Sequence, residues 1–251
     1  MNRIEQFKKD LKAKRALKVI AGIDNYDIES VKRVVSAADM GGASAVDVAA
    51  REDIIYIAKE LSNIAVCVSS IEPEKLLMAK ENGADMLEIG NFDAMYKKGM
   101  RVTAEEILDI TSRTIDLVGH DIFLSVTVPG HIDISEQIEL AQKLEKMGVD
   151  LIQTEGACVA NVSNTGARGL LEKANVSIAN TIELSRNEEV PIMTASGITP
   201  TTSRMAFAAG ASAIGVGSCI NKLSSVIEMI AVVRSFVEQH EKAEEKEEMF
   251  I

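Results

Sequence analysis

Gly148-Val149-Asp150-Leu151-Ile152-Gln153-Thr154-Glu155 is one of four versions of a single phrase in this chain of 251 residues. The others are Gly42-Ala43-Ser44-Ala45-Val46-Asp47, Gly83-Ala84-Asp85-Met86-Leu87-Glu88 and Gly210-Ala211-Ser212-Ala213-Ile214-Gly215-Val216-Gly217. Each follows an amphipathic run. Each reads as a helix end, a tight glycine turn and a buried parallel strand. Their glycines are spaced by 41, 65 and 62 residues, roughly two βα units apart after the first pair. Repeats of this kind decide a fold before any single motif does.

Four more short apolar runs lie between the repeats: residues 17–23 (LKVIAGI), 64–69, 122–128 and 191–196. Continuous apolar runs suit strands buried on both faces of a parallel sheet. Helical patterns follow over 28–40, 52–61, 73–82, 104–117, 135–147, 177–186, 201–209 and 223–240. Thr103 before Glu105-Glu106, and Asp133 before Ser135, supply capping chemistry. Eight strands alternating with eight helices close a (β/α)₈ TIM barrel, and the length is typical of that fold. We expect one domain over 1–251, with the barrel at about 17–225, an extra N-terminal helix and an acidic C-terminal helix or tail frayed over 238–251.

The net charge of −11 argues against a nucleic-acid partner, because phosphate neutralisation needs clustered Lys and Arg. No apolar run is long enough to span a membrane. The polar first residues do not resemble a signal peptide. Cys67, Cys158 and Cys219 are far apart and fit reduced thiols in a cytoplasmic setting. Homo-oligomer formation is left open.

Side chains alternate across a strand, so equivalent repeat positions can be compared. Five residues on from each glycine stand Asp47, Glu88, Gln153 and Gly215. Seven on stand Ala49, Gly90, Glu155 and Gly217. All share one parity, and all should face the barrel mouth. One carboxylate alone would read as a cap or salt bridge. Three at equivalent positions point to acid/base or metal-binding work. Together they need a hard cation such as Mg²⁺, a shared proton, or a neighbouring Lys or Arg. Ser69, Ser125, Thr127, Thr194 and Ser196 add hydroxyls from the other strands. The turns Ser196-Gly197 and Gly217-Ser218 end the seventh and eighth strands, where barrels of this class hold phosphate. His131 ends the fifth strand and is either an acid/base or a surface loop residue. Lys18 is either a barrel-interior amine or, the favoured reading, a Lys reaching solvent at the lower mouth; no Lys occurs inside any other strand, which disfavours Schiff-base chemistry.

Two connections are long, 90–101 and 156–175. The first carries Asn91. The second is rich in Ser, Asn, Thr and Gly and reads as a mobile lid whose Arg168 reaches an anionic ligand.

With these residues in hand, the chain resembles the hypothetical chloroplast reading-frame 23 family, TIM-barrel proteins of plastids and cyanobacteria. The stretches that carry the resemblance are LKVIAG at 17–22, EIGNFD at 88–93, LSVTVP at 124–129, IQTEG at 152–156 and the two glycine turns. It runs from about residue 15 to residue 225, with Gly130 as a departure between Pro129 and His131. The resemblance implies a phosphate-binding barrel, and a plastid stroma if the source is a plastid. It brings no reaction. The residues favour an enzyme acting on a small phosphorylated metabolite by isomerisation or aldol/lyase-type proton transfer. The alternatives are an FMN oxidoreductase and a non-catalytic metabolite sensor or assembly protein.

Overall fold

The computed structural model describes residues 2–90, 92–96, 99–156 and 160–248. Eight parallel strands form a closed barrel in sequence order. They are β1 (Ala16–Ile20), β2 (Ala45–Ala49), β3 (Ala65–Ser70), β4 (Met86–Ile89), β5 (Phe123–Val128), β6 (Leu151–Thr154), β7 (Ile192–Ala195) and β8 (Ala213–Val216). The helices are α1 (Arg3–Lys12), α2 (Ile28–Gly41), α3 (Glu52–Leu61), α4 (Pro73–Glu81), α5 (Asp93–Tyr96), α6 (Ala104–Val118), α7 (Ile134–Lys146), α8 (Gly166–Asn187), α9 (Ser203–Ala208), α10 (Ser218–Asn221) and α11 (Val226–Glu248).

The repeat phrase has a local cause. Gly42, Gly83, Gly148 and Gly210 have φ of 88°, 83°, 84° and 105°, the left-handed region that ends a helix cheaply only with glycine. The chain then enters a strand within two or three residues. In two repeats an Asp at the strand foot fixes the neighbouring strand. Asp85 accepts from the Val66 backbone N–H at 2.9 Å, and Asp150 from that of Leu124 at 2.8 Å. Helix starts are capped as the sequence suggests in α6, where Thr103 and Glu106 exchange bonds in a capping box. In α7 the cap position falls on Asp133, without a side-chain bond.

Two apolar clusters result. The larger packs the outer strand faces against the helices. The smaller fills the lower lumen with Ala45, Cys67, Met86, Phe123, Leu151 and Met193. Helix α1 plugs this end. Its Phe7 meets Phe123 edge-to-face, with ring centroids 5.7 Å apart. Arg3 anchors the plug by donating to the carbonyls of Lys59 and Ser62 at 3.0 and 2.6 Å. The lower end is therefore closed, and ligand access is confined to the C-terminal face.

One expectation changes. The segment 156–175 is not one long loop, because α8 begins at Gly166. Glu172 folds back on the preceding turn and accepts from the backbone N–H groups of Ser163 and Asn164 at 2.8 and 3.0 Å. The Leu-Leu-Glu-Lys-Ala run within it is good helix material, and it outweighs the two glycines. Helix α11 extends through Glu248, the acidic C-terminal helix that the sequence offers.

Candidate functional site

Register carries the repeat residues inward. Glu88 pairs with Ser69 on one side and Ser125 on the other, and Thr127 pairs with Gln153. Asp47 and Glu88 are fully buried, Gln153 nearly so. Lys18 shares this layer, which corrects its expected place at the lower mouth. It is fully buried and forms an ion pair with Glu88, spanning the lumen from β1 to β4. Glu88 also accepts from Ser125 at 3.2 Å and from Gln153 at 2.8 Å. The same Gln153 amide donates to Thr127 at 3.0 Å. Ser69 donates to Asp47.

Electrostatics follow from this packing. Burial alone would lower the pKa of Lys18, but the carboxylates of Glu88 and Asp47 outweigh it, and the ammonium is held above its ordinary value. Burial pushes the Asp47 carboxyl up to about 7, with Glu88 adding to the rise and Lys18 opposing it. The carboxylates thus find their counter-charge in Lys18, the third of the three remedies set out above. The Mg²⁺ expectation loses its basis, since an ammonium stands where the cation would. Among the described residues no group of three or more His, Cys, Asp or Glu side chains is placed to hold a metal.

Above this layer a cleft of about 310 Å³ opens between the ends of β6, β7, β8 and β1. All four phosphate candidates, Ser196, Gly197, Gly217 and Ser218, line it. Ser196 has φ of 70°, rare for a residue with a side chain, and Gly197 has φ of 83°. Two successive left-handed residues turn the backbone sharply at the cleft wall, a strain of the kind found at binding sites. Gln153 and Glu155 line the same cleft. A Cβ on Gly215 would lie 3.2 Å from Gln153 Oε1 and 2.9 Å from the Ala195 Cβ, so glycine keeps the floor open. Gln153 Oε1 is buried and has no hydrogen-bond partner among the described residues.

The remaining candidates separate. Glu155 stands one alternation above Gln153 and lines the cleft, which Asp47, Lys18 and Glu88 do not. Thr127 orients Gln153 and does not line the cleft. Thr194 faces outward and shares a hydrogen bond of 2.6 Å with Thr181 of α8. His131 packs edge-on against Tyr96, centroids 5.1 Å apart, and burial together with Arg101 lowers its pKa. It is not among the residues lining the cleft. Arg168 is exposed and lies 3.5 Å from Glu172, one turn along its own helix. Asn91 lies outside the described residues. Asp24, Asn221 and Lys222 line the cleft too and were not singled out from the sequence; the last two stand side by side in the chain. Asn221 donates to the Ile20 carbonyl at 2.9 Å and ties α10 to β1. The signal for Asn221 and Lys222 was their place just after the eighth-strand glycine turn.

The closed parallel barrel, with its polar lumen and a glycine-lined cleft at β7 and β8, defines a TIM-barrel protein. The chain belongs to the family described as "Protein of unknown function (DUF561)", which matches residues 1–246. It is 37% identical over 224 residues to the "Uncharacterized protein ycf23" of Pyropia yezoensis, covering 89% of this chain and 82% of that protein. It is also 37% identical to the protein of that name from Cyanophora paradoxa, over 91% of this chain and 93% of that one. Among solved structures it is similar to (S)-3-O-geranylgeranylglyceryl phosphate synthase of Thermoplasma acidophilum in complex with its substrate sn-glycerol-1-phosphate. The TM-score is 0.64 at 15% identity, covering 95% of this chain and 98% of that one. At that identity the likeness establishes the fold alone.

Proposed function

We propose that the protein is an enzyme acting on a small phosphorylated metabolite, by isomerisation or aldol/lyase-type proton transfer. One observation carries the reading: Gln153 lines the cleft and, through the same side chain, joins the buried Lys18–Glu88 pair. The anion seat and the charged layer are thus one structure. The neighbours' printed names support it too, since they include synthases of phosphorylated compounds such as geranylgeranylglyceryl phosphate and 3-hexulose 6-phosphate.

The roles follow from position. Backbone N–H groups at the Ser196-Gly197 and Gly217-Ser218 turns receive the phosphate, and Lys222 supplies the cation that Arg168 does not. The free Gln153 oxygen accepts from a ligand hydroxyl. Glu155, in the cleft wall, takes a proton from the carbon or hydroxyl beside it and returns it. Lys18, Glu88 and Thr127 hold Gln153 in place and do not touch the ligand.

The test is calorimetry with a panel of sugar and triose phosphates, together with deuterium exchange into the bound ligand followed by NMR. Ser218→Glu puts a like charge at an exposed position in the seat and should abolish binding while the fold persists. Glu155→Gln should retain binding and stop exchange. Unchanged affinity in folded Ser218→Glu protein places the anion elsewhere. Exchange persisting in Glu155→Gln removes Glu155 as the base.

A further inference from the structure

Two further hollows open on the same face as the phosphate cleft. One, of about 200 Å³, is walled by Ile23 and Asp24, which also wall the phosphate cleft, and by Ser69, Met95 and Met100. The next, of about 500 Å³, shares Ile71, Met95 and Met100 with it and reaches Val102 and Ile110 beside the start of α6. Three hollows thus succeed one another across the mouth, each sharing wall residues with the next.

Their chemistry changes along the way. The first offers glycine turns, two serines and Lys222, with Asp24 and Glu155 in its wall. The last offers Ile, Met and Val side chains, with Arg101, Glu105, Glu106 and Asp109 around them. Met100 is 48% exposed there, although it is large and apolar. Apolar side chains gathered in a hollow beside a polar cleft are the usual lining of a ligand's uncharged part. Methionines, unbranched and flexible, adapt to such a part.

We infer that the ligand is amphiphilic: a phosphate head in the β7–β8 cleft, and an uncharged apolar chain crossing Asp24 into the Ile71–Met95–Met100 hollow. This rests on the phosphate reading above. It adds to that reading the class of ligand, a phosphomonoester bearing an apolar substituent, in place of a wholly hydroxylated sugar phosphate.

The experiment is calorimetric titration of the full chain with inorganic phosphate, n-butyl phosphate and n-octyl phosphate. Each methylene fully buried raises affinity about fourfold. Octyl phosphate should therefore bind at least about tenfold tighter than butyl phosphate, at one site per chain. Met100→Glu, a change at a half-exposed position, should erase that gain and leave the affinity for inorganic phosphate as it was. Ser218→Glu should weaken all three ligands. Equal affinities for butyl and octyl phosphate, with inorganic phosphate still bound and still sensitive to Ser218→Glu, overturn the apolar-chain inference and leave the phosphate seat standing. An octyl gain that survives Met100→Glu also overturns it. Failure of all three ligands to bind overturns the phosphate seat, and the inference with it.

Discussion

Asp47→Asn should make the protein more stable at alkaline pH, and the structure gives both sign and size. Asp47 is fully buried, and its carboxyl titrates at about 7 against an ordinary 3.8. Between those values the folded chain keeps a proton that the unfolded chain has released. Stability therefore falls as pH rises from about 4 to about 7 and levels off above. At roughly 1.4 kcal/mol per pH unit, the full excursion is on the order of 4 kcal/mol. That is a large share of the roughly 5–15 kcal/mol that holds a domain together. Asparagine removes the titration and keeps the acceptor for Ser69. Lys18 loses a favourable charge in exchange, so 4 kcal/mol is an upper figure. The assay is urea denaturation followed by circular dichroism at pH 5 and pH 8, for both proteins. Glu188 also titrates near 7, because of partial burial and its contact with Glu145, so only the difference between the two proteins isolates Asp47. The variant should gain a few kcal/mol relative to the parent on going from pH 5 to pH 8. Parallel pH profiles would refute the reasoning, because they would mean that Lys18 keeps Asp47 ionised throughout.

Three other outcomes are expected. Lys18→Met leaves Glu88 buried without a counter-charge and should destabilise by about 3–5 kcal/mol, while adding Glu88→Gln should recover much of that loss, as a denaturation double-mutant cycle will read. Gly130→Ala should lower stability by roughly 1–3 kcal/mol, because its Cβ would land 2.0 Å from the Glu155 carbonyl; differential scanning calorimetry measures it. Lys222→Ala should weaken phosphate binding about tenfold, the size of a charge-assisted hydrogen bond, whereas Arg168→Ala should leave it unchanged in the same titration.

The repeats made the barrel legible because the physics that writes them is local. A left-handed glycine, a short turn and an apolar strand lie within eight residues of one another. Counting from those glycines also fixed the phase of β2, β4, β6 and β8, which is why Asp47, Glu88 and Gln153 were found. Strand β1 begins with no such glycine, so its phase could not be counted, and Lys18 was placed outside. The register settles it, because Lys18 lies beside Gly215 of β8. Thr194 was misplaced for the same reason: β7 has no repeat glycine, and its threonine sits between the inward Met193 and Ala195. The helix from Gly166 was hidden by composition. Its glycines and polar residues look like loop, and Gly169 is required by a contact, since a Cβ there would meet the Asn164 carbonyl at 2.2 Å.

Lys18, Asp47 and Glu88 all come from the first four strands, whereas the two glycine turns and Gln153 come from the last four. The halves of the ring therefore hold different equipment. The first contains a self-neutralising set of charges and no seat for an anion. The second contains the seat, with Glu155 in its wall. Gln153 on β6 meets Glu88 on β4 across β5, so the halves are joined there, whereas the cleft is completed only where β8 closes on β1. For a chain that emerges from its N-terminus, the charged layer comes first, and the seat it supports through Gln153 comes last. A phosphate bound at the mouth would then report that the last strand has found the first.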